Sequence, residues 1–169
     1  TEALSREAEV AALAVPGVTQ VEAAGAGWYE REIYLAATNG FSGGYARTGR
    51  SLSCGAISGT GTGMERDWDW DQRVFASELR SAEEIGRTAG ERAAARSGAR
   101  KPRTGTFPVV FDERVASSLI GHLLSAINGA AIARGSSFLR DAMGEMVLPE
   151  GLSVTEDPHR PRSSASKLW

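Results

Sequence analysis

The imidazole and thiol groups of this sequence, the side chains best suited to a transition metal, are three: the only two histidines, His122 and His159, and the single cysteine, Cys54. His122 lies in residues 115–134 (VASSLIGHLLSAINGAAIAR), the longest stretch whose apolar residues recur at the spacing of one helical face. A helical zinc-peptidase site needs two histidines one turn apart, with a carboxylate beside the first to act as general base. One turn on from His122 stands Ala126, and its neighbours are Gly121 and Leu123, so no helical histidine pair exists. A site gathered from His122, His159 and Cys54 stays open as an alternative, but no ligand spacing favours it. Cys54, on an expected strand, reads better as a small core residue than as a nucleophile.

Two glycine-containing stretches invite chemistry and lack its other parts. GTGTG at 59–63 has neither the lysine nor the hydroxyl of a phosphate-binding loop, and strand-like sequence follows it, so a hairpin connection is expected. GAISG at 55–59 does not match the G-x-S-x-G spacing of a hydrolase nucleophile. The segment 64–71 (MERDWDWD) alternates strictly, with Met64, Arg66, Trp68 and Trp70 on one face and Glu65, Asp67, Asp69 and Asp71 on the other. An acidic row of this kind suits a cation or a basic peptide. A half-buried strand with the aromatics inside and the acids in water explains the same pattern, and is the expectation here because adjacent like charges are cheapest when solvated.

The elements that would carry these residues follow from periodicity and punctuation. Residues 1–15 place Leu4, Ala8, Ala11, Ala12 and Val15 on one helical face before Pro16-Gly17. Residues 18–70 read as four or five antiparallel strands, with a turn at Asn39-Gly40 and bends or loops at Gly43-Gly44 and 59–63. Ser81-Ala82-Glu83-Glu84 is a capping box opening a helix to about Ser97, whose thin apolar face (Ile85, Ala89, Ala93) suits it to cover a sheet. GARKPRTG at 98–105 is a basic connector and the expected boundary between residues 1–100 and 101–169. Then come a strand at 106–111 (TFPVVF), Asp112 as cap, the helix at 115–134, a short helical or turn segment to Gly144, a last strand at 152–155 and a polar tail. On the central helix Ala116, Leu119, Ile120, Leu123, Leu124, Ile127 and Ala131 form the core-facing stripe. Ser118, Gly121, His122, Ser125 and Gly129 form a second face, small apart from the histidine, suited to close packing or a bound peptide.

Composition narrows the class. With 169 residues, 41% hydrophobic and 24% charged, the chain can bury a core. A net charge of −2 gives no general reason to expect a nucleic-acid partner. One cysteine precludes an internal disulfide and fits a reducing cytoplasm. No apolar run reaches membrane-spanning length and no signal peptide is visible, so no membrane association is expected. The start at Thr1 rather than methionine suggests processing or a fragment.

The runs NGFSGGY (39–45), GMERDW (63–68), PVVFD (108–112), GHLLSAINGA (121–130), RGSSFL (134–139) and EDPH (156–159) together resemble the TldD/PmbA family, in its TldE (PmbA) branch. The resemblance spans nearly the whole chain but only the middle of a family member. It implies a cytoplasmic bacterial protein of the type in which TldD and TldE form a heterodimeric metalloprotease acting on unstructured peptides, also known as a modulator of DNA gyrase. In the TldD branch the helix matching 115–134 carries an H-E-x-x-x-H zinc motif. Alignment through Arg134-Gly135-Ser136-Ser137 puts Ile120, Gly121 and Ser125 at its three positions, so the resemblance implies a zinc-less, non-catalytic subunit. Zinc is then expected only in a TldD-like catalytic partner, with unfolded peptides as the other partner. Self-association through an exposed helix or sheet edge is a further expectation. The expected fold is α+β: a mostly antiparallel sheet with covering helices, joined to the start of a second, truncated α/β lobe. The competing functions are an autonomous metallopeptidase and a gyrase-modulating binding protein.

Overall fold

A computed structural model describes residues 1–162, so the polar end of the expected tail, 163–169, lies outside the described residues. The chain is α+β and divides into two units, Thr1–Lys101 together with the segment from Glu156, and Pro102–Thr155. In chain order the first unit contains helix α1 (Glu2–Leu13), strands β1 (Val18–Ala36), β2 (Ser42–Ser58) and β3 (Glu65–Arg73), and helix α2 (Ala82–Ala95). The second contains helices α3 (Glu113–Ala126) and α4 (Gly129–Ala133).

The sheet is antiparallel in the order β1-β2-β3, three long strands rather than the four or five expected. Pairing between β1 and β2 runs from Val18 opposite Ser58 to Ala36 opposite Ser42, with irregularities only between Val18 and Ala23. The expected bend at Gly43-Gly44 is absent because the glycine serves another purpose. A Cβ at Gly44 would stand 2.8 Å from the Tyr34 ring, and one at Gly49 2.4 Å from the Tyr29 ring, so each glycine is the bed on which a cross-strand tyrosine lies. The turn at Asn39-Gly40 forms as expected: Gly40 has φ +89°, and the Asn39 side-chain oxygen accepts from the Phe41 N–H at 3.1 Å. The 59–63 stretch is the β2–β3 connection, with a 3-10 turn at Gly61–Gly63.

The core of this unit is made mostly of small side chains. Ala8 and Ala12 of α1, Ala82, Ile85, Ala89 and Ala93 of α2, and Leu52, Cys54 and Ala56 of β2 are buried together. The helices cross very closely, since a Cβ on Gly86 would lie 2.0 Å from the Ala8 carbonyl oxygen. Leu52 and Ile85 are the largest fully buried side chains, each contributing about 1.5–3 kcal/mol of hydrophobic stabilisation. Ser81 caps α2 as the capping box requires, its hydroxyl accepting from the Glu84 N–H at 3.1 Å.

The alternation in β3 has the expected period and the opposite polarity. Asp67, Asp69 and Asp71 are buried against α2, while Trp68 and Trp70 stand 47% exposed on the other side of the sheet. The reason is the arginines. Arg96 Nε reaches Asp67 at 2.8 Å, Arg92 Nη1 reaches Asp69 at 2.6 Å, and Arg80 Nη1 reaches the second Asp69 oxygen at 2.8 Å. The Arg80 N–H donates to Asp71 at 3.0 Å. Once each buried carboxylate has a cationic partner the cost of desolvating it is offset, and the acids can line the inner face.

In the second unit the expected continuous helix at 115–134 is broken. α3 ends at Ala126, and Asn128 starts α4 by accepting from the N–H groups of Ala130 at 3.0 Å and Ala131 at 3.3 Å. Asparagine competes well for backbone donors, so it serves as a cap rather than a mid-helix residue. Residues 106–111 and 152–155 form no strand; Pro108 interrupts the first, and neither has a ladder partner among the described residues. The stripe expected to face a core is largely in the open, with Leu119, Ile120, Leu124 and Ile127 exposed and only Ala126 of α3 buried.

Candidate functional site

α3 is the element on which the sequence analysis centres. Its start is fixed by Asp112, which accepts from the Arg114 N–H at 3.0 Å and from Arg114 Nε at 2.9 Å. Ile120, Gly121 and Ser125 fall on adjacent turns. Ile120 is 39% exposed, a Cβ on Gly121 would meet nothing within 4 Å, and the Ser125 hydroxyl donates to the Gly121 carbonyl at 2.9 Å. An alkyl group, a hydrogen and a hydroxyl bonded to its own helix do not fit zinc, which takes imidazole, thiolate or carboxylate donors. The small face is only partly assembled: Ser118, Gly121, His122 and Ser125 share one exposed side of α3, while Gly129 belongs to α4. The Ser118 hydroxyl donates to the Val115 carbonyl at 2.6 Å.

Cys54 belongs to the core of the first unit. Its side chain is 1% exposed within the sheet–helix core, where Sγ lies 3.9 Å from the Ala8 carbonyl oxygen. Burial, with smaller contributions from Glu9 and Asp69, pushes its thiol up to about 11. A neutral, enclosed thiol is a poor nucleophile. Among the described residues no group of three or more His, Cys, Asp and Glu side chains is placed to hold a metal ion.

The densest electrostatic feature is one the sequence reading missed, the carboxylate row of β3 against Arg80, Arg92 and Arg96. Burial by itself would raise the Asp71 pKa, but the Arg80 N–H and the Arg73 guanidinium outweigh it and hold that carboxyl below the usual range. Arg80 is raised in turn, chiefly by the carboxylate of Asp69. Paired in this way, the row holds α2 to the sheet, with Asp69 Oδ2 2.8 Å from Arg80 Nη1 but without a well-aligned hydrogen bond. The signal in the sequence is the set of arginines in and beside the capped helix, at 80, 92 and 96. The outward consequence is a surface of Trp68 and Trp70 beside Ser51, Ser53 and Gly55.

Comparison with known proteins places this architecture. The description "PmbA/TldA metallopeptidase central domain" matches residues 1–97, more than half of the chain, and "PmbA/TldA metallopeptidase C-terminal domain" matches 104–169. The chain belongs to the PmbA/TldD family. It is 35% identical over 130 residues to Metalloprotease PmbA of Escherichia coli O157:H7, covering 76% of this chain and 29% of that protein. It is 33% identical over 129 residues to the Metalloprotease PmbA homolog of Haemophilus influenzae, covering 76% and 29%. The crystal structure of a Thermotoga maritima protein, named there as a candidate modulator of a DNA gyrase, superposes with a TM-score of 0.77 at 19% identity, covering 85% of this chain and 33% of that one. The PmbA/TldD chain therefore spans under a third of the length of these curated relatives. No helix among its described residues is long and apolar enough to cross a membrane.

Proposed function

We propose that this PmbA/TldD chain acts as a non-catalytic, TldE-like subunit region in a TldD/TldE-type metalloprotease, contributing to assembly and to the binding of unstructured peptides in the cytoplasm. Zinc and hydrolysis belong, in this reading, to a TldD-like partner. What supports it is the α3 position set Ile120, Gly121 and Ser125, which offers no metal donor and which the family resemblance aligns with the zinc motif of the catalytic branch. The rival metal site with His122 and His159 gains no support from Cys54, whose side chain is packed among Ala8, Ala56 and Ile85 in the sheet–helix core.

Peptide binding has a physical route in the sheet. Among the described residues β1 is a 19-residue edge strand, and an edge of this kind can take an extended peptide through main-chain hydrogen bonds that are indifferent to side-chain identity. The test is a partner complex assayed for peptide hydrolysis with and without this region. Loss of hydrolysis, or of partner co-purification, is expected on deletion; unchanged hydrolysis overturns the proposal.

A further inference from the structure

On the helix side of the sheet, beside the first residues of α1 and α2, lies a cavity of about 570 Å³, the size of a small-molecule site. Its apolar lining comes from Leu4 of α1, Ala26 of β1, Leu52 of β2 and Leu79 just ahead of α2. Its charged lining has one sign: Arg50 and Arg80 border it, and no acidic residue does. The two arginines differ in what they already hold. Arg80 is paired with Asp69 at 2.8 Å and lies 3.5 Å from Glu84. Arg73, across the ladder from Arg50, is taken by Asp71 at 3.1 Å. Among the described residues Arg50 has no acid of its own. Its contact is with Trp28, its cross-strand neighbour on β1, whose ring centroid is 5.1 Å from the guanidinium. Strand alternation puts this pair on the side of Leu52, toward the cavity. Stacking on a ring engages the flat face of a guanidinium and leaves the donors along its edge free, the arrangement that grips a carboxylate through two parallel bonds. The Ser81 hydroxyl, which also lines the cavity, accepts from the Glu84 N–H and keeps its own O–H to donate.

We propose that this cavity binds a carboxylate carried on an apolar group, with the acid on Arg50 beside Trp28 and the apolar body over Leu4, Ala26, Leu52 and Leu79. The arginine lining selects the acid, because a cation or a neutral amide forgoes the charge-assisted pair. The leucine floor selects the body, because a small bare anion buries almost no apolar surface there. A free organic acid and the C-terminus of a peptide with an apolar last residue offer this same chemistry. The site is separate from pairing along the β1 edge and stands whether or not that pairing occurs.

Isothermal titration of the intact chain tests it with four probes: N-acetylphenylalanine, its amide, and a short peptide ending in phenylalanine with a free or an amidated C-terminus. The acid is expected to bind about tenfold tighter than its matching amide, the worth of one charge-assisted pair. Preference for N-acetylphenylalanine over its amide assigns the site to a free acid; preference shown by the peptide pair alone assigns it to a peptide terminus. Arg50→Gln is expected to abolish the difference between acid and amide while leaving the affinity of the amide in place. If circular dichroism shows that this variant has not folded, Arg50→Lys replaces it and is expected to narrow the difference, since an ammonium offers no paired edge donors. Equal affinity for acid and amide in both formats, absence of binding by both acids, or a preference that the Arg50 substitution leaves unchanged overturns the proposal. Acetate or inorganic phosphate binding as tightly as the acids overturns it as well.

Discussion

At the scale of single residues the buried carboxylates of β3 are the most exacting feature of the molecule. Asp69 is 3% exposed and lies between Arg80 and Arg92. Asp69→Ala leaves two guanidiniums without their central anion, and urea unfolding is expected to show a loss of about 3 kcal/mol, the low end for a broken buried pair because both arginines keep some contact with water. Asp71 contributes to the acid limb of stability. Its folded pKa is depressed, so its contribution is full above the unfolded aspartate pKa of about 3.9 and is lost as pH falls through the lower, folded value. Asp71→Asn is therefore expected to flatten the decline in urea midpoint on acidification, and an unchanged acid limb would contradict the assignment. The same residues show how far sequence reaches. Alternation in 64–71 establishes that one row is acidic and the other aromatic, and says nothing about which row is inside. That choice is made by Arg80, Arg92 and Arg96, whose positions over the strand exist only once α2 is laid on the sheet.

At the scale of elements, local signals were legible wherever a motif closes on itself. The Ser81 cap, the Asn39-Gly40 turn and the Pro16-Gly17 stop each involve a few adjacent residues, and each formed where expected. Features that depend on a distant partner were not legible. Gly44 looks like a bend until Tyr34 is seen above it, and Asn128 looks like an ordinary helix position until it is found capping α4. Two substitutions test these assignments. Gly86→Ala puts a Cβ where the Ala8 carbonyl oxygen stands at 2.0 Å, so α1 and α2 must separate, and calorimetry is expected to show a loss of about 1–3 kcal/mol, the usual cost of overpacking. Asn128→Ala removes the cap of a five-residue helix at a cost of about 1 kcal/mol, and hydrogen exchange is expected to show lost protection confined to residues 129–133.

At the scale of the whole molecule the two units differ in how far each satisfies itself. The first closes a core of α1, α2 and the sheet. The second leaves Val110 95%, Met143 91%, Phe138 81% and Met146 79% exposed, apolar side chains that its own elements do not enclose. This is also where functional reading from sequence depended most on family resemblance. Spacing alone removes a histidine pair from α3, but only a comparison with the catalytic branch indicates what the helix would otherwise carry. The account stands or falls on that helix. The direct measurement is the zinc content of the purified chain and of His122→Ala, determined by elemental analysis alongside peptide hydrolysis without a partner. The account predicts no stoichiometric zinc and no hydrolysis in either protein. One equivalent of zinc in the unaltered chain, lost with His122, together with hydrolysis by the chain alone, would contradict it.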